Sequence, residues 1–327
     1  MRAMILAAGF GTRMRPFTER TPKPLLPVGN RPQIVCVLEL LRRAGVRDVV
    51  INLHHLPGRV MDVVGETYAG EVRIDYSIEP EILGTGGGLK KVESFFGGET
   101  FILANADALM DADLAGAARR HGELGAAATM LVRGWDPAGG YGRVEADGEG
   151  MIRRVLAPAA GEGLASVVFT GIHILSPAIF RYLPAGRPSC IVGDGYMAML
   201  AAGERVASFR ADGYWRDIGT IRAYFDANMD FLRGEMPSHC RAFAPADGGR
   251  PPPGRFPGVE FAPPVIVGAG CAIGAGSVIG PGVVLGDGCV VGNGCRLSAV
   301  VALPGARFSS GEEARRIVRS PAASVPV

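Results

Sequence analysis

The chain has 327 residues, 48% of them hydrophobic, and its 34 Lys and Arg nearly balance 32 Asp and Glu for a formal net charge of +2. That length supports a large core, and so neutral a balance lacks the basic face that a general nucleic-acid binder needs. No segment reaches the ~18 apolar residues of a membrane span, residues 3–6 are too short an apolar run for a signal peptide, and the cysteines include no Cys-x-x-Cys pair. The default is a cytoplasmic enzyme or binding protein, with neither membrane nor nucleic acid as partner.

Residues 3–6 read as a buried first strand leading into Leu6-Ala7-Ala8-Gly9-Phe10-Gly11-Thr12-Arg13. Small residues there let backbone N–H groups approach a phosphate or a base. Arg13 and Arg15 add fixed positive charge, and Lys23 stands between Pro22 and Pro24, whose locked φ angles stiffen the backbone that presents it. Residues 33–44 carry helical periodicity (Ile34, Val37, Leu38, Leu41) and stop at Gly45. Strand patterns at 46–53 and 72–78, with a short helix at 57–65, give the alternation of a doubly wound α/β domain. Ligands of such sheets bind beyond the carboxyl ends of the strands, where residues 9–13 would lie.

The third strand runs into Glu79-Pro80-Glu81-Ile82-Leu83-Gly84-Thr85-Gly86-Gly87-Gly88. Consecutive glycines before a helix call for a tight turn or a close approach to the backbone, and a second Gly-rich loop on this sheet edge suits a nucleotide site. A fourth strand, 101–104, ends at Asn105-Ala106-Asp107, which sets a carboxylate where a metal could sit; Asp111 and Asp113 fit helix caps better. Further strands are expected at 126–132, 141–144, 152–156, 167–175 and 206–209, and helices at 177–183, 196–202 and 221–232. Gly171 interrupts an apolar strand and suggests a bulge, while His173 in the same strand reads as structural rather than as a base. Asp217, in Trp215-Arg216-Asp217-Ile218-Gly219-Thr220, is either a second metal carboxylate or the N-cap of the helix that follows.

Composition shifts at 242–264, a Pro/Gly-rich linker with Pro251-Pro252-Pro253. Then an aliphatic residue followed by Gly recurs every six residues, with Val267, Ile273, Ile279, Leu285, Val291 and Leu297 in register, which specifies a parallel β-helix over 265–303. Three hexads per coil would give about two coils, a stub whose ends need cover from the catalytic domain or from a second subunit. The tail, 304–327, is expected to hold a solvated helix around Arg315–Arg319 and to be disordered from about Ser320. Residues 1–241 form the remaining domain.

The ordered set of motifs resembles the sugar-1-phosphate nucleotidyltransferases. It comprises Gly9-x-Gly11-Thr12-Arg13-x-Arg15-Pro16, Pro22-Lys23-Pro24-Leu25, Leu83-Gly84-Thr85-Gly86, Asn105-x-Asp107, Phe169-Thr170-Gly171, Trp215-x-Asp217-x-Gly219-Thr220 and the C-terminal hexads. Similar chains include mannose-1-phosphate guanylyltransferases and N-acetylmuramate-1-phosphate uridylyltransferases. The resemblance implies a Rossmann-like doubly wound nucleotidyltransferase domain followed by a short left-handed parallel β-helix. It implies attack by a sugar 1-phosphate oxygen on the α-phosphorus of a nucleoside triphosphate, with release of pyrophosphate, and an oligomeric protein. By motif position, Arg13 and Lys23 are catalytic, and Leu6, Ala8, Gly9, Gly11, Thr12, Arg13, Gly84 and Thr85 approach the nucleotide. Gly142, Thr170 and Gly171 face the sugar, and Asp107 and Asp217 hold Mg²⁺.

The Glu-Lys pair that many relatives place before Thr-Gly to hold the sugar phosphate is missing, and only Glu162 is near; Ala106 stands where Gly is usual. Glu79, six residues before Thr85, could accept two N–H groups of guanine but only one of uracil or thymine, which favours GTP with mannose 1-phosphate over uridylyl or thymidylyl transfer. Other classes fit less well. A dinucleotide-binding oxidoreductase needs a third glycine where Met14 stands, a P-loop needs Gly-Lys-Ser/Thr, and a hexapeptide acyltransferase needs a histidine base, whereas the last histidine is His239. A catalytically silent sugar-nucleotide-binding regulator has no need of Arg13, Lys23, Asp107 and Asp217 together.

Overall fold

A computed structural model describes residues 1–68, 72–241 and 254–327; most of the expected linker, 242–253, lies outside the described residues. The chain forms two compact units, Met1–Phe10 with Val37–Trp215, and Gly11–Cys36 with Arg216–Val327. This departs from the expected division at 241, because residues 11–36 and 216–241 group with the β-helix rather than with the sheet.

The first unit is built on β1 (Arg2–Leu6), β2 (Asp48–Leu53), α2 (Pro57–Tyr68), β3 (Arg73–Ile78), α3 (Gly84–Lys91) and β4 (Phe101–Asn105). Helix α1 (Gln33–Arg43) carries the chain in from the second unit. Next come α4 (Leu114–Glu123), β5 (Ala128–Gly134), β6 (Arg143–Ala146), β7 (Ile152–Val155), β8 (Ala165–Leu175) and β9 (Val206–Arg210). Among the described residues these make a nine-stranded sheet ordered β7-β6-β8-β4-β1-β2-β3, with β5 on β8 and β9 on β5. The β4-β1-β2-β3 run is parallel, and Ala3, Met4, Ile5, Val49 and Ile51 are buried, as expected of strands covered on both faces. β8 runs antiparallel to β4, β5 and β6 and its ladder breaks between Phe169 and His173, the bulge expected at Gly171. Phe96, Phe101 and Phe180 stack in the core, with ring centroids 3.8 Å apart for Phe96–Phe101 and 5.5 Å for Phe101–Phe180.

In the second unit, the short hairpin of Pro27–Val28 and Arg31–Pro32 and helix α6 (Ile221–Arg233) accompany the β-helix. The expected helix at 196–202 narrows to α5 (Met197–Ala201), in the first unit. Parallel strands stack in register from Val265 to Val283 to Val300, from Ala272 to Val290 to Arg307, and from Glu260 to Val278 to Arg296 to Glu313. The repeating hexad glycine follows from this stacking: a Cβ on Gly268, Gly274 or Gly292 would stand 2.5–2.6 Å from the backbone nitrogen of the next coil's corner at Asp287, Asn293 or Ser310.

The β-helix is longer than the hexads indicate. It begins at Glu260–Phe261, inside the expected linker, and continues through Glu313–Arg319, a strand rather than the expected helix. Ala314 and Val318 are buried there while Arg315 and Arg316 face out, and the strand turns at Arg316, which adopts φ +52. Ser324–Pro326, expected to be disordered, pairs antiparallel with Ile317–Arg319. The flank of the β-helix is covered by its own chain: Asn30 Nδ2 donates to Leu285 O at 2.8 Å, and the Arg316 guanidinium lies 5.6 Å from the Phe225 ring of α6.

Candidate active site

Three loops leave the carboxyl ends of β1, β3 and β4. Asn52, the one polar side chain within the apolar run of β2, ties the first two together: its Oδ1 accepts from Ala7 N and its Nδ2 donates to Glu79 Oε1, both at 2.8 Å. Glu79 Oε2 accepts from Leu83 N at 2.9 Å, and His54 Nδ1 lies 2.7 Å from Glu79 O. The His54 ring in turn meets Phe10 edge-on, centroids 4.8 Å apart. Glu79 is therefore a buried clamp (1% exposed) with both carboxylate oxygens engaged, and the expectation that it reads a base edge is overturned.

The glycine run has a similar explanation. A Cβ on Gly84, Gly86 or Gly87 would strike Ser189 O, Ser189 Oγ or Arg187 O, and one on Gly88 would strike Glu79 Oε1 at 2.6 Å. Thr85 Oγ1 accepts from Ile191 N at 2.9 Å. The close approach inferred from the glycines is thus made by the chain itself. At Gly9, by contrast, the residue is exposed and a Cβ would meet no described atom within 4 Å. Leu6 and Ala8 hold this loop from below, Ala8 buried and Leu6 O accepting from Ala106 N at 3.1 Å.

Asp107 sits half-buried in the turn after β4, beside Gly171 of β8. Gly171 adopts φ +100, and a Cβ there would stand 2.9 Å from Ala108 Cβ and 3.2 Å from Asn105 Nδ2, so only glycine lets the bulge pass this turn. Thr170 is buried with its hydroxyl donating to Leu131 O at 2.8 Å, so its side chain does not face a sugar, contrary to expectation. Gly142 and Glu162 are exposed on separate loops, before β6 and before β8.

The second unit carries the charged half of the motif set. Gly11 (φ +63) ends the loop from β1, and a Cβ on it would press on Thr18 Cγ2 at 2.9 Å and on Lys23 Cβ at 3.1 Å. Thr12 and Arg13 are exposed on the short turn Thr12–Met14, and Lys23 is half-buried on Lys23–Leu25. Gln33, which the motifs did not single out, donates to Lys23 O and fixes the backbone that presents the ammonium. Arg13 and Asp217, far apart in sequence, meet at Gly219: a Cβ there would be 3.1 Å from Arg13 Nη1 and 3.2 Å from Asp217 Oδ1. Asp217 is not the helix cap, since Thr220 Oγ1 accepts from Ala223 N at 3.2 Å and caps α6.

His173 is structural, as expected. Its Nδ1 lies 2.7 Å from Tyr196 Oη, and complete burial lowers its pKa to about 3. Asp113 caps α4 through Gly116 N at 2.8 Å. Among the described residues no group of three or more His, Cys, Asp or Glu side chains is arranged to hold a metal.

Comparison with known proteins places this chain in a family. The nucleotidyl transferase family model matches residues 2–234, and a hexapeptide-repeat model described from succinyl-transferases matches 264–299. The chain belongs to the nucleotidyl transferase family and is a nucleotidyltransferase. It is similar to the UTP–glucose-1-phosphate uridylyltransferase of Synechocystis sp., 33% identical over 83% of this chain and 70% of that one. It is also similar to the mannose-1-phosphate guanyltransferase of Aspergillus fumigatus, 33% identical over 75% of this chain and 68% of that one. Its fold matches the crystal structure of HddC from Yersinia pseudotuberculosis complexed with GMP-PN, with TM-score 0.60 and 23% identity over 70% of this chain and 99% of that one.

Proposed function

We propose that this chain transfers a nucleotidyl group from a nucleoside triphosphate to a sugar 1-phosphate. A phosphate oxygen of the sugar 1-phosphate forms a bond to the α-phosphorus, the bond from that phosphorus to the β-phosphate bridging oxygen breaks, and pyrophosphate leaves. No protein nucleophile is needed; such chemistry asks for orientation and charge neutralisation. The observation that carries this reading is that Arg13 and Asp217 both lie against Gly219, on a chain whose family model spans all three. The exposed Arg13 guanidinium binds the leaving pyrophosphate, and Lys23, held by Gln33, neutralises the reacting phosphates. Gly9, open to solvent, lets the backbone approach the triphosphate.

Asp107 in the first unit and Asp217 in the second each offer hard carboxylate oxygens, the donor chemistry that would suit Mg²⁺. When bound, Mg²⁺ supplies charge neutralisation of the triphosphate.

GTP and mannose 1-phosphate are the proposed pair, supported by the relatives named mannose-1-phosphate guanyltransferase, several of which are 31–33% identical. UTP with glucose 1-phosphate is a second reading, favoured by the Synechocystis relative, which matches a larger share of this chain. Pyrophosphate release measured for GTP, UTP, dTTP and ATP against mannose 1-phosphate and glucose 1-phosphate separates them. GTP with mannose 1-phosphate should turn over fastest and stop on chelation of Mg²⁺. Faster turnover of UTP with glucose 1-phosphate would replace the first pair with the second.

A further inference from the structure

Within the second unit, three stripes of α6 face three different neighbours. Tyr224, Asn228 and Phe231, spaced i, i+4 and i+7, share one face. The Tyr224 hydroxyl donates to Pro27 O at 2.6 Å, and Asn228 Oδ1 accepts from Gly29 N at 3.0 Å. The Phe231 ring fills the space where a Cβ on Gly29 would lie, 2.5 Å away. Burial raises the Tyr224 pKa and so keeps that hydroxyl a donor. This stripe therefore grips the hairpin of Pro27–Val28 and Arg31–Pro32 by its backbone. The hairpin runs on from Lys23–Leu25, and Gln33 at its far end returns to the same turn: its backbone N donates to Leu26 O at 3.2 Å and its side chain to Lys23 O.

Asp226 and Asp230 form the second stripe. Asp230, 2% exposed, accepts from Arg216 Nε at 2.6 Å and from Arg233, and Asp226 Oδ2 lies 4.0 Å from Arg216 Nη1. A carboxylate so deeply buried is tolerated because it is paired, and its charge-assisted bond fixes the residue that directly precedes Asp217. Phe225 and Met229, the third stripe, lie against the β-helix. The Arg316 guanidinium is 5.6 Å from the Phe225 ring, and Met229 Sδ is 3.5 Å from where a Cβ on Gly282 would be. The helix is thus seated on stacked coils and reaches from there to both charged segments. Resting on the transferase reading above, we infer that α6 positions the charges this unit brings to the reacting phosphates. Tyr224 and Asn228 set the backbone that presents Lys23, and Asp230, through Arg216, sets the strand that presents Asp217.

Two variants of the full chain separate the stripes. Tyr224→Phe removes one hydroxyl and keeps the ring, and Asp230→Asn keeps the outline of the side chain and removes its charge. Circular dichroism checks the fold of each. Both should lower kcat about three- to tenfold while KM for the triphosphate and for the sugar 1-phosphate stays within a factor of about two. Labelling of Lys23 by an N-hydroxysuccinimide ester, followed by peptide mass mapping, reports its presentation without turnover. Tyr224→Phe should change that labelling rate at least about threefold, and Asp230→Asn should leave it within a factor of about two. A merely structural role would lower the melting temperature with wild-type kcat and labelling, which overturns the positioning assignment while the transferase reading stands. Equal changes of labelling in the two variants would show the helix loosening as a whole and overturn the separate assignments. A labelling change confined to Tyr224→Phe, with no turnover of any substrate pair by the wild type, supports the positioning of Lys23 and overturns the transferase reading.

Discussion

The Asn52 amide and the Glu79 carboxylate meet at 2.8 Å below two loops that neither residue belongs to by motif. Asn52 holds the loop after β1 by Ala7 N, and Glu79 holds the start of α3 by Leu83 N. Glu79→Ala should cost about 1–3 kcal/mol of stability, the penalty for leaving buried donors unsatisfied. It should raise KM for the triphosphate more than KM for the sugar phosphate, because the loop at 7–10 loses its anchor. Thermal unfolding and paired KM measurements check both; equal kinetic parameters in the variant would remove the clamp from the site.

A Cβ on Gly219 would stand 3.1 Å from Arg13 Nη1 and 3.2 Å from Asp217 Oδ1. Gly219→Ala should push one of them aside by a few tenths of an ångström and lower kcat several-fold, as a pre-positioned charge loses its alignment. Circular dichroism should be unchanged, since the added methyl meets side-chain ends rather than backbone. A variant with unaltered kcat would show that this juxtaposition is not used in turnover.

His173 gives the molecule a defined acid sensitivity. Its ordinary pKa of 6.5 is lowered to about 3 in the folded chain by burial, so the unfolded chain binds a proton that the folded one refuses. The stability this histidine contributes is complete above its unfolded pKa and is lost as pH falls from there toward about 3. His173→Phe should therefore flatten the dependence of melting temperature on pH over that window, whatever its effect at neutral pH. An unchanged slope would assign the acid sensitivity to other groups.

In the β-helix, Gly292→Ala sets a methyl 2.5 Å from Ser310 N, against backbone that cannot turn aside. The expected cost is about 1–3 kcal/mol, as for other overpacked sites. Gly288→Ala, where no described atom lies within 4 Å, controls for the volume change but keeps the strain of a positive φ. Denaturant titration of the two variants against wild type should rank Gly292→Ala as the less stable.

Much of the fold was readable because apolar runs and glycine punctuation carry it directly: the buried β1 and β2, the stripe of α1, and the hexads each state their own period. Sequence is ambiguous where one signal serves two causes. Residues 313–319 have the charge density of a solvated helix, yet they pair in register with Arg296–Ala302 as one more strand of the β-helix. At Gly84 to Gly88 the sequence records a close approach without saying by what, and the 187–191 segment is the neighbour. At the site, the charged residues were legible because their order is distinctive. Asn52 and Gln33 were not, since each acts through a partner that only folding brings near. Glu79 was misread for the same reason: a carboxylate before a Gly-rich loop looks available until its two oxygens are found engaged.

Nucleotidyl transfer to a sugar 1-phosphate leaves a signature that label transfer reads directly. Triphosphates labelled with phosphorus-32 at the α position are incubated with the full chain, Mg²⁺ and mannose 1-phosphate or glucose 1-phosphate. Label should appear in a nucleotide sugar, with unlabelled pyrophosphate in equal amount, and neither product should form when the sugar 1-phosphate is omitted. Label recovered only as free nucleotide, at a rate indifferent to the sugar 1-phosphate, would contradict it.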